Sequence, residues 1–399
     1  MVTNDKCRNE YCGKIADYYF DLIFRSQTSN GTRRLEKLKD KLMLNINDIT
    51  RQVLDNCEIS DANNAGLYSI CGLALRLRDL YKWEQGLPPW EERDASEVLE
   101  WIEAKENQWD NCIDNEFANM SINGKTFDPY DTIGINTVLE PHNYFYGAGY
   151  ARSLKPTFFL AAIEEKSTLD GTTVYTLDRE LARDLLTIPA LSQDDNVILR
   201  QDSAKLYLWD NIFYIKKTSR PALSFALESC GIKEHQPKAL RSRLAGILAA
   251  QKETYIYHEI GEIHDSVFDR KLWREIIAAF PFSPVEYLAR AVKDLLADTN
   301  ECGTLQHIVR QRNAASLAFY VAFLDGLAKE FFPQLPASFR EFTQTEDWGI
   351  IDQAVSSGHQ TAVKYAGLIM DLYQEGVRKN ELKWAEKQIQ KHLLGKYIK

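Results

Sequence analysis

Thr157-Phe-Phe-Leu-Ala-Ala-Ile163, a polar interval closing on Asp170-Gly171, and then Thr172-Thr-Val-Tyr-Thr176 decide the fold class. β-Branched and aromatic residues suit a pleated, half-buried surface, and Asp-Gly accepts the positive φ of a tight connection. The same character extends from Asp128 to about Lys217. Val197–Arg200, Lys205–Trp209 and Ile212–Lys216 read as further strands, parted by Asp202-Ser203 and Asp210-Asn211, while Asp178–Leu186 reads as a short helix. The expectation is a small antiparallel meander of about five strands, whose apolar face needs helices to cover it.

Helices are available on both sides. Upstream, Asn47–Cys57, Asn64–Trp83 and Asp94–Phe117 repeat apolar residues at spacings of three and four. Asp94 with Glu97 is a variant of the capping box, and Gly86-Leu-Pro-Pro-Trp90 is a stiff loop that no helix can cross. Downstream of Pro237 the clearest boundary is Ser283-Pro-Val-Glu286, with Ser placed to cap, Pro at the first helical position and Glu three residues after the Ser. That helix should run to about Asp298. Asn300–Gly303 then turns, Thr304 restarts a helix and Pro333 stops it, and Gln360–Lys399 is a long amphipathic pattern. Lys383, Lys387 and Lys391 recur every four residues along it and read as a solvated face. The chain is therefore expected to be mainly α, and α+β overall. A helical region spans 1–123, a small α+β region with the meander 124–236, and a second helical region 237–399.

Composition bounds the function classes. Forty-eight basic against fifty-seven acidic residues give a formal charge of −9, which disfavours non-specific nucleic-acid binding. Charges occupy the N-terminal positions that an export signal would need apolar, and the longest apolar run, Ala314–Leu324, falls far short of the ~18 residues of a membrane span. A soluble, cytoplasmic protein without membrane contact is expected, its seven scattered cysteines reduced. Cys7 and Cys12 read as two incidental thiols.

Several chemistries lack their signatures. No phosphate-binding P-loop, dinucleotide glycine fingerprint, nucleophile elbow or Cys-x-x-Cys pair is present, and none of the seven histidines has a Glu three residues before it. What remains is His258-Glu-Ile-Gly-Glu262-Ile-His-Asp265. On a helix His258, Glu262 and Asp265 share one side, and the apolar stripe of Leu244, Ile247, Leu248 and Tyr255 projects onto that side at about 100° per residue. Carboxylates on a core-facing line must be paired or hold a cation. The metal reading makes His258, Glu262 and Asp265 ligands to a divalent ion, Zn or Fe, with Glu259 as the base. Asp294, Asp298 and His307 are candidates to complete the sphere. Gly261 is a further sign, since a glycine inside a helix costs ~1 kcal/mol unless something must approach closely.

Two rival arrangements use the same residues. One is a buried ion-pair network without chemistry, and the other is a solvated face, if Ile256, Ile260, Ile263 and Val267 are what face the core. A second segment, His142-Asn-Tyr-Phe-Tyr-Gly-Ala-Gly-Tyr-Ala-Arg152, could stack on a planar ligand or pack beneath the sheet. The functional expectation is a metal-dependent enzyme, a hydrolase, with its site on a helix of the C-terminal region. The alternative is a non-catalytic interaction or assembly protein, binding a protein partner or its own copy through helix faces.

Overall fold

The computed structural model describes residues 44–232 and 237–395. Cys7 and Cys12 lie outside them. The chain opens with α1 (Ile46–Asn64), α2 (Ile70–Glu84) and α3 (Ala95–Asp110). Asp94 caps α3 by accepting from the Ser96 amide at 2.9 Å, but Glu97 does not complete the box, because its carboxylate accepts instead from the Tyr81 hydroxyl. A two-stranded hairpin follows, β1 (Met120–Ile122) and β2 (Lys125–Phe127), and then α4 (Thr132–Leu139).

The main sheet contains β3 (Tyr144–Tyr150), β4 (Pro156–Leu169), β5 (Thr172–Arg183), β6 (Ala190–Gln193) and β7 (Asn196–Arg200), in the order β3-β4-β5-β7-β6. Asp170 and Gly171 both carry positive φ at the β4–β5 turn. The sheet is mixed, which corrects the antiparallel meander: β5 and β7 run parallel. After β5 the chain passes to the far edge, lays down β6 and returns through Asp194-Asp195 as β7, which fills the slot between β6 and β5.

Two local readings are overturned, and a third resolves toward its packing alternative. Asp178–Arg183 is the second half of β5 and not a helix, because Glu180 is drawn into the interior, accepting from Arg200 Nε and Ser203 Oγ at 2.8 Å each. Neither Lys205–Trp209 nor Ile212–Lys216 is a strand: Gln201–Phe213 is α5, and it buries Ala204, Leu208 and Ile212 at spacings of four. Tyr144–Tyr150, read above as a ligand platform or as packing beneath the sheet, is strand β3 and buries Phe145 and Tyr146. Gly147 stands opposite Phe159, whose ring occupies the space a Cβ would take, and the Tyr146 hydroxyl donates to the Pro129 carbonyl at 2.7 Å.

α1 and α4 cover one face of the sheet, with Ile49, Val53, Ile135 and Leu139 against Tyr146, Phe158 and Leu160. The buried ammonium of Lys155 ties this layer together, 2.9 Å from Asp61 of α1 and 3.1 Å from Asp184 just past β5. Burial pushes the Asp61 carboxyl up to about 7 despite the lysine, whereas at Asp184 the opposing pull of Lys155 and the Leu186 amide overcomes burial and lowers it.

The remaining helices are α6 (Arg220–Ser229), α7 (Pro237–His264), α8 (Arg270–Ala279), α9 (Pro284–Thr299), α10 (Thr304–Gln311), α11 (Ala314–Phe323), α12 (Gly326–Phe331), α13 (Gln334–Thr345), α14 (Trp348–Lys379) and α15 (Leu382–Leu394). Together with α5 they bury one large core, through which α9 runs with Val285, Leu288, Val292 and Leu295. The helix expected from Thr304 to Phe332 is three, broken at Arg312-Asn313 and Leu324-Asp325. On α15, Lys383, Lys387 and Lys391 are exposed, opposite the buried Ala385, Ile389 and Leu393. No helix among the described residues is long and apolar enough to cross a membrane.

α7 positions the site by changing partners along its length. Leu244, Ile247 and Leu248 lie in the helical core, while Ile256, Tyr257 and Ile260 pack on Val174, Val197 and Leu199 of the sheet. Both apolar stripes are therefore buried, one at each end. His258 and Glu262 fall where α7 passes from one to the other.

Candidate metal centre

Two helix pairs of residues meet here. His258 and Glu262 stand one turn apart on α7, and Asp294 and Asp298 stand one turn apart on α9. The helices approach so closely at Gly261 that a Cβ there would lie 2.1 Å from the Ala297 carbonyl oxygen, and Asn300 Nδ2 donates to the Gly261 carbonyl at 2.9 Å. The start of α9 is fixed as its sequence indicates. Ser283 accepts from the Val285 amide at 3.2 Å, and Glu286 turns back to the amides of Phe282 and Ser153.

His258 Nδ1 lies 2.8 Å from Asp298 Oδ1, and Asp298 Oδ2 accepts from the Tyr320 hydroxyl at 2.7 Å. With Nδ1 engaged, Nε2 is the nitrogen left to face the cluster, 3.9 Å from Glu262 Oε1. One ligand atom each from His258, Glu262 and Asp294 lie within 4.8 Å of one another, the one such grouping of three among the described residues. Glu262 also pairs with Lys293, whose ammonium lies 4.9 Å from the centre of the Trp273 ring.

The electrostatics of this group favour a cation. Burial disfavours the charge on His258, but Asp298, Glu259 and Glu262 outweigh it and hold the imidazolium well above its usual range. Burial works the same way on Glu262, where Lys293 and His258 win and the carboxyl is lowered. Glu259 is pushed up to about 7 by burial and then by Glu262, and Asp294 to about 6 by burial, with Glu262 and Asp298 adding to it. Four carboxylates thus face one imidazole and one ammonium, and the local shortage of positive charge is carried as raised proton affinity. An imidazole with two carboxylates is a donor set for Zn or Fe, and an imidazole oriented through its other nitrogen by a carboxylate is the outer shell such sites use. The residues fit a divalent ion, whose ligand atoms would sit ~2.1 Å from it. Glu262 exchanging Lys293 for the ion would draw the set together.

Two of the expected ligands are elsewhere. α7 ends at His264, and Asp265 spends its carboxylate on the backbone amides of Val267, at 2.9 Å, and Phe268, so it does not project with His258. His307 stacks on the Tyr257 ring with centroids 3.7 Å apart, and its Nε2 meets Glu253 at 3.1 Å. The positions that complete the group are Asp294, beside His258 and Glu262, and Asp298, behind the imidazole. Lys293 and Tyr320 were not signalled by the sequence, the first a lysine among several on its helix and the second hidden in the apolar run Ala314–Leu324.

The cluster lies between two cavities. A cleft of about 840 Å³ reaches Glu259, Glu262 and Asp294 from the side of β6 and α8, and another of about 530 Å³ reaches His258, Glu259, Asp294 and Asp298 from the side of α11.

A chain of this kind, a mixed sheet joined to a helical layer with an acidic cluster at the seam, is matched by two models of one family. The N-terminal domain model of a family of unknown function (DUF6866) covers residues 48–200, and the C-terminal domain model of the same family covers residues 205–392. The chain belongs to the DUF6866 family. The two models part between β7 and α5, where the sheet gives way to the helical core. No curated protein and no solved structure matches it.

Proposed function

We propose that this protein is a metal-dependent hydrolase whose ion is held by His258, Glu262 and Asp294. The observation that carries the reading is the orientation of His258: its Nδ1 is committed to Asp298, so Nε2 is presented to two carboxylates that have no second imidazole to share. A divalent ion there would supply Lewis acidity and lower the proton affinity of a nearby water. Glu259 is the adjoining carboxyl, buried and poised near neutrality, and its role is to accept the proton from the attacking water and return it to the leaving group. Asp298 and Tyr320 position the imidazole. The five described cysteines are free thiols, which suits work in the reducing cytoplasm.

The test is elemental analysis of protein purified without an affinity tag, before and after incubation with Zn, Fe or Mn. The expected result is up to one ion per chain, lost in a His258→Ala, Glu262→Ala double variant that remains folded. Wild-type protein that retains no ion under any of these conditions ends the reading.

A further inference from the structure

We propose, building on the metal reading above, that the substrate is an organic anion with an apolar body, its charged oxygens seated in the larger cleft and its apolar part in the smaller. Ile188, Ala190, Glu259 and Asp294 line both cavities, so each cavity brings what it holds against the same two carboxylates of the cluster.

The larger cleft holds two arginines that stand outside its ion pairs. Arg152 is exposed and stacks over the Tyr287 ring at 3.8 Å, and neither it nor Arg274, also exposed, is held by a carboxylate in the ion pairs of the described residues. The other two arginines at this end are paired, and Asp194 and Asp265 are held by neutral donors. Arg270 pairs with Asp195 at 2.9 Å, Arg290 with Glu286 at 2.9 Å, Asp194 accepts from Thr132 and Asp265 holds backbone amides. Lys293 joins the uncommitted cations once Glu262 turns to an ion. A guanidinium suits phosphate or carboxylate oxygens, which it can grip with two parallel hydrogen bonds. The smaller cavity is different in character. Away from the cluster residues that it also reaches, Tyr207, Tyr255, Tyr320, Phe323 and Leu324 line it with rings and alkyl groups, and Asp325 is paired with Lys216. A free phosphate would leave that surface unused, and a neutral apolar compound would leave the arginines unpaired.

The experiment is calorimetric titration of the full chain loaded with Zn, with metal content measured in every sample. The probes are phenylphosphonate, methylphosphonate, phenylacetate and benzyl alcohol. Phenylphosphonate or phenylacetate is expected to bind at least tenfold tighter than either methylphosphonate or benzyl alcohol, the tighter of the two naming the anion. An Arg152→Ala, Arg274→Ala variant should weaken that ligand tenfold or more with metal content unchanged. Ala328→Phe, which fills the smaller cavity, should reduce phenylphosphonate to the level of methylphosphonate; the comparison of the two phosphonates on the wild type needs no variant. Equal binding of the two phosphonates, binding indifferent to the arginines, or no binding at all by metal-loaded protein overturns this inference and leaves the metal reading standing. Protein that takes up no metal overturns both.

Discussion

Gly261 of α7 lies against the carbonyl of Ala297 on α9, at a distance that excludes any side chain: a Cβ would fall 2.1 Å from that oxygen. The contact sets the spacing between the pair His258 and Glu262 and the pair Asp294 and Asp298. Gly261→Ala must push the helices apart, since the obstacle is backbone, and is expected to destabilise the fold by roughly 1–3 kcal/mol and to weaken metal uptake. Gly246 provides the control on the same helix. Nothing lies within 4 Å of its Cβ position, so Gly246→Ala should be neutral or stabilise by about 0.5–1 kcal/mol. Urea midpoints of the two variants read the difference, and equal shifts would refute the close-approach account.

Asp298 is expected to matter through His258 alone. Removing the carboxylate in Asp298→Ala frees Nδ1 and the ring rotation, and should cost about 10–100-fold in metal affinity, the range for lost outer-shell partners. Tyr320→Phe takes away one donor to Asp298 Oδ2 and should cost less. Chelator competition on the purified variants should therefore rank the losses His258→Ala, then Asp298→Ala, then Tyr320→Phe. An Asp298→Ala protein with wild-type affinity would mean that the carboxylate does not orient the ring.

What the sequence discloses and what it hides follow from the range of the interactions. Helix starts are local, so Ser283 and Asp94 are readable as caps, and the spacing that places His258 with Glu262 and Asp294 with Asp298 follows from a helix's own geometry. Which helices meet is not local, although Gly261 is the residue that announces a close approach. Asp265 was misplaced because three residues decide it: its carboxylate binds the amides just beyond, and the helix stops at His264. In α5, Lys205-Leu-Tyr-Leu-Trp209 alternates like a strand, and only the wider spacing of Ala204, Leu208 and Ile212 reveals the helix. Asp178–Arg183 is made of residues common in helices, and the ion pair of Glu180 with Arg200, far along the chain, holds it extended.

Lys155 anchors α1 to the sheet through Asp61 and Asp184, with all three side chains buried. Lys155→Met leaves two carboxylates in a dry interior and should destabilise the fold by about 3–5 kcal/mol at pH 8. Asp61, already raised to about 7, takes a proton readily, so the defect should shrink as the pH falls below that value. Denaturation of both proteins at pH 5.5 and 8 checks it. A loss that is the same at both values would show that the lysine acts by packing and not by charge.

Glu259 gives the sharpest pH dependence, because function and stability pull against each other there. Its carboxyl titrates at about 7 in the folded chain against about 4.3 when unfolded. For a raised group the contribution is fully present below the unfolded value and is lost as pH rises through the folded one, so between about 4.5 and 7 this carboxyl makes the metal-free protein progressively less stable. Asp294, raised to about 6, and His258, also raised, act in the same direction. Glu259→Gln keeps the shape and removes the buried charge. At pH 8 the metal-free variant should be more stable than the wild type by on the order of 3 kcal/mol, and near pH 4.5 the two should coincide. Saturating metal should stabilise both proteins by about 2.7 kcal/mol at a hundredfold excess over Kd, because the variant keeps all three ligands, and should narrow the gap between them only as far as the ion's charge lowers the proton affinity of Glu259, while hydrolysis by the variant should be lost. Denaturant titrations with and without Zn at the two pH values measure both effects. A Glu259→Gln chain no more stable than wild type at pH 8 would place the carboxylate in water and remove it as the base.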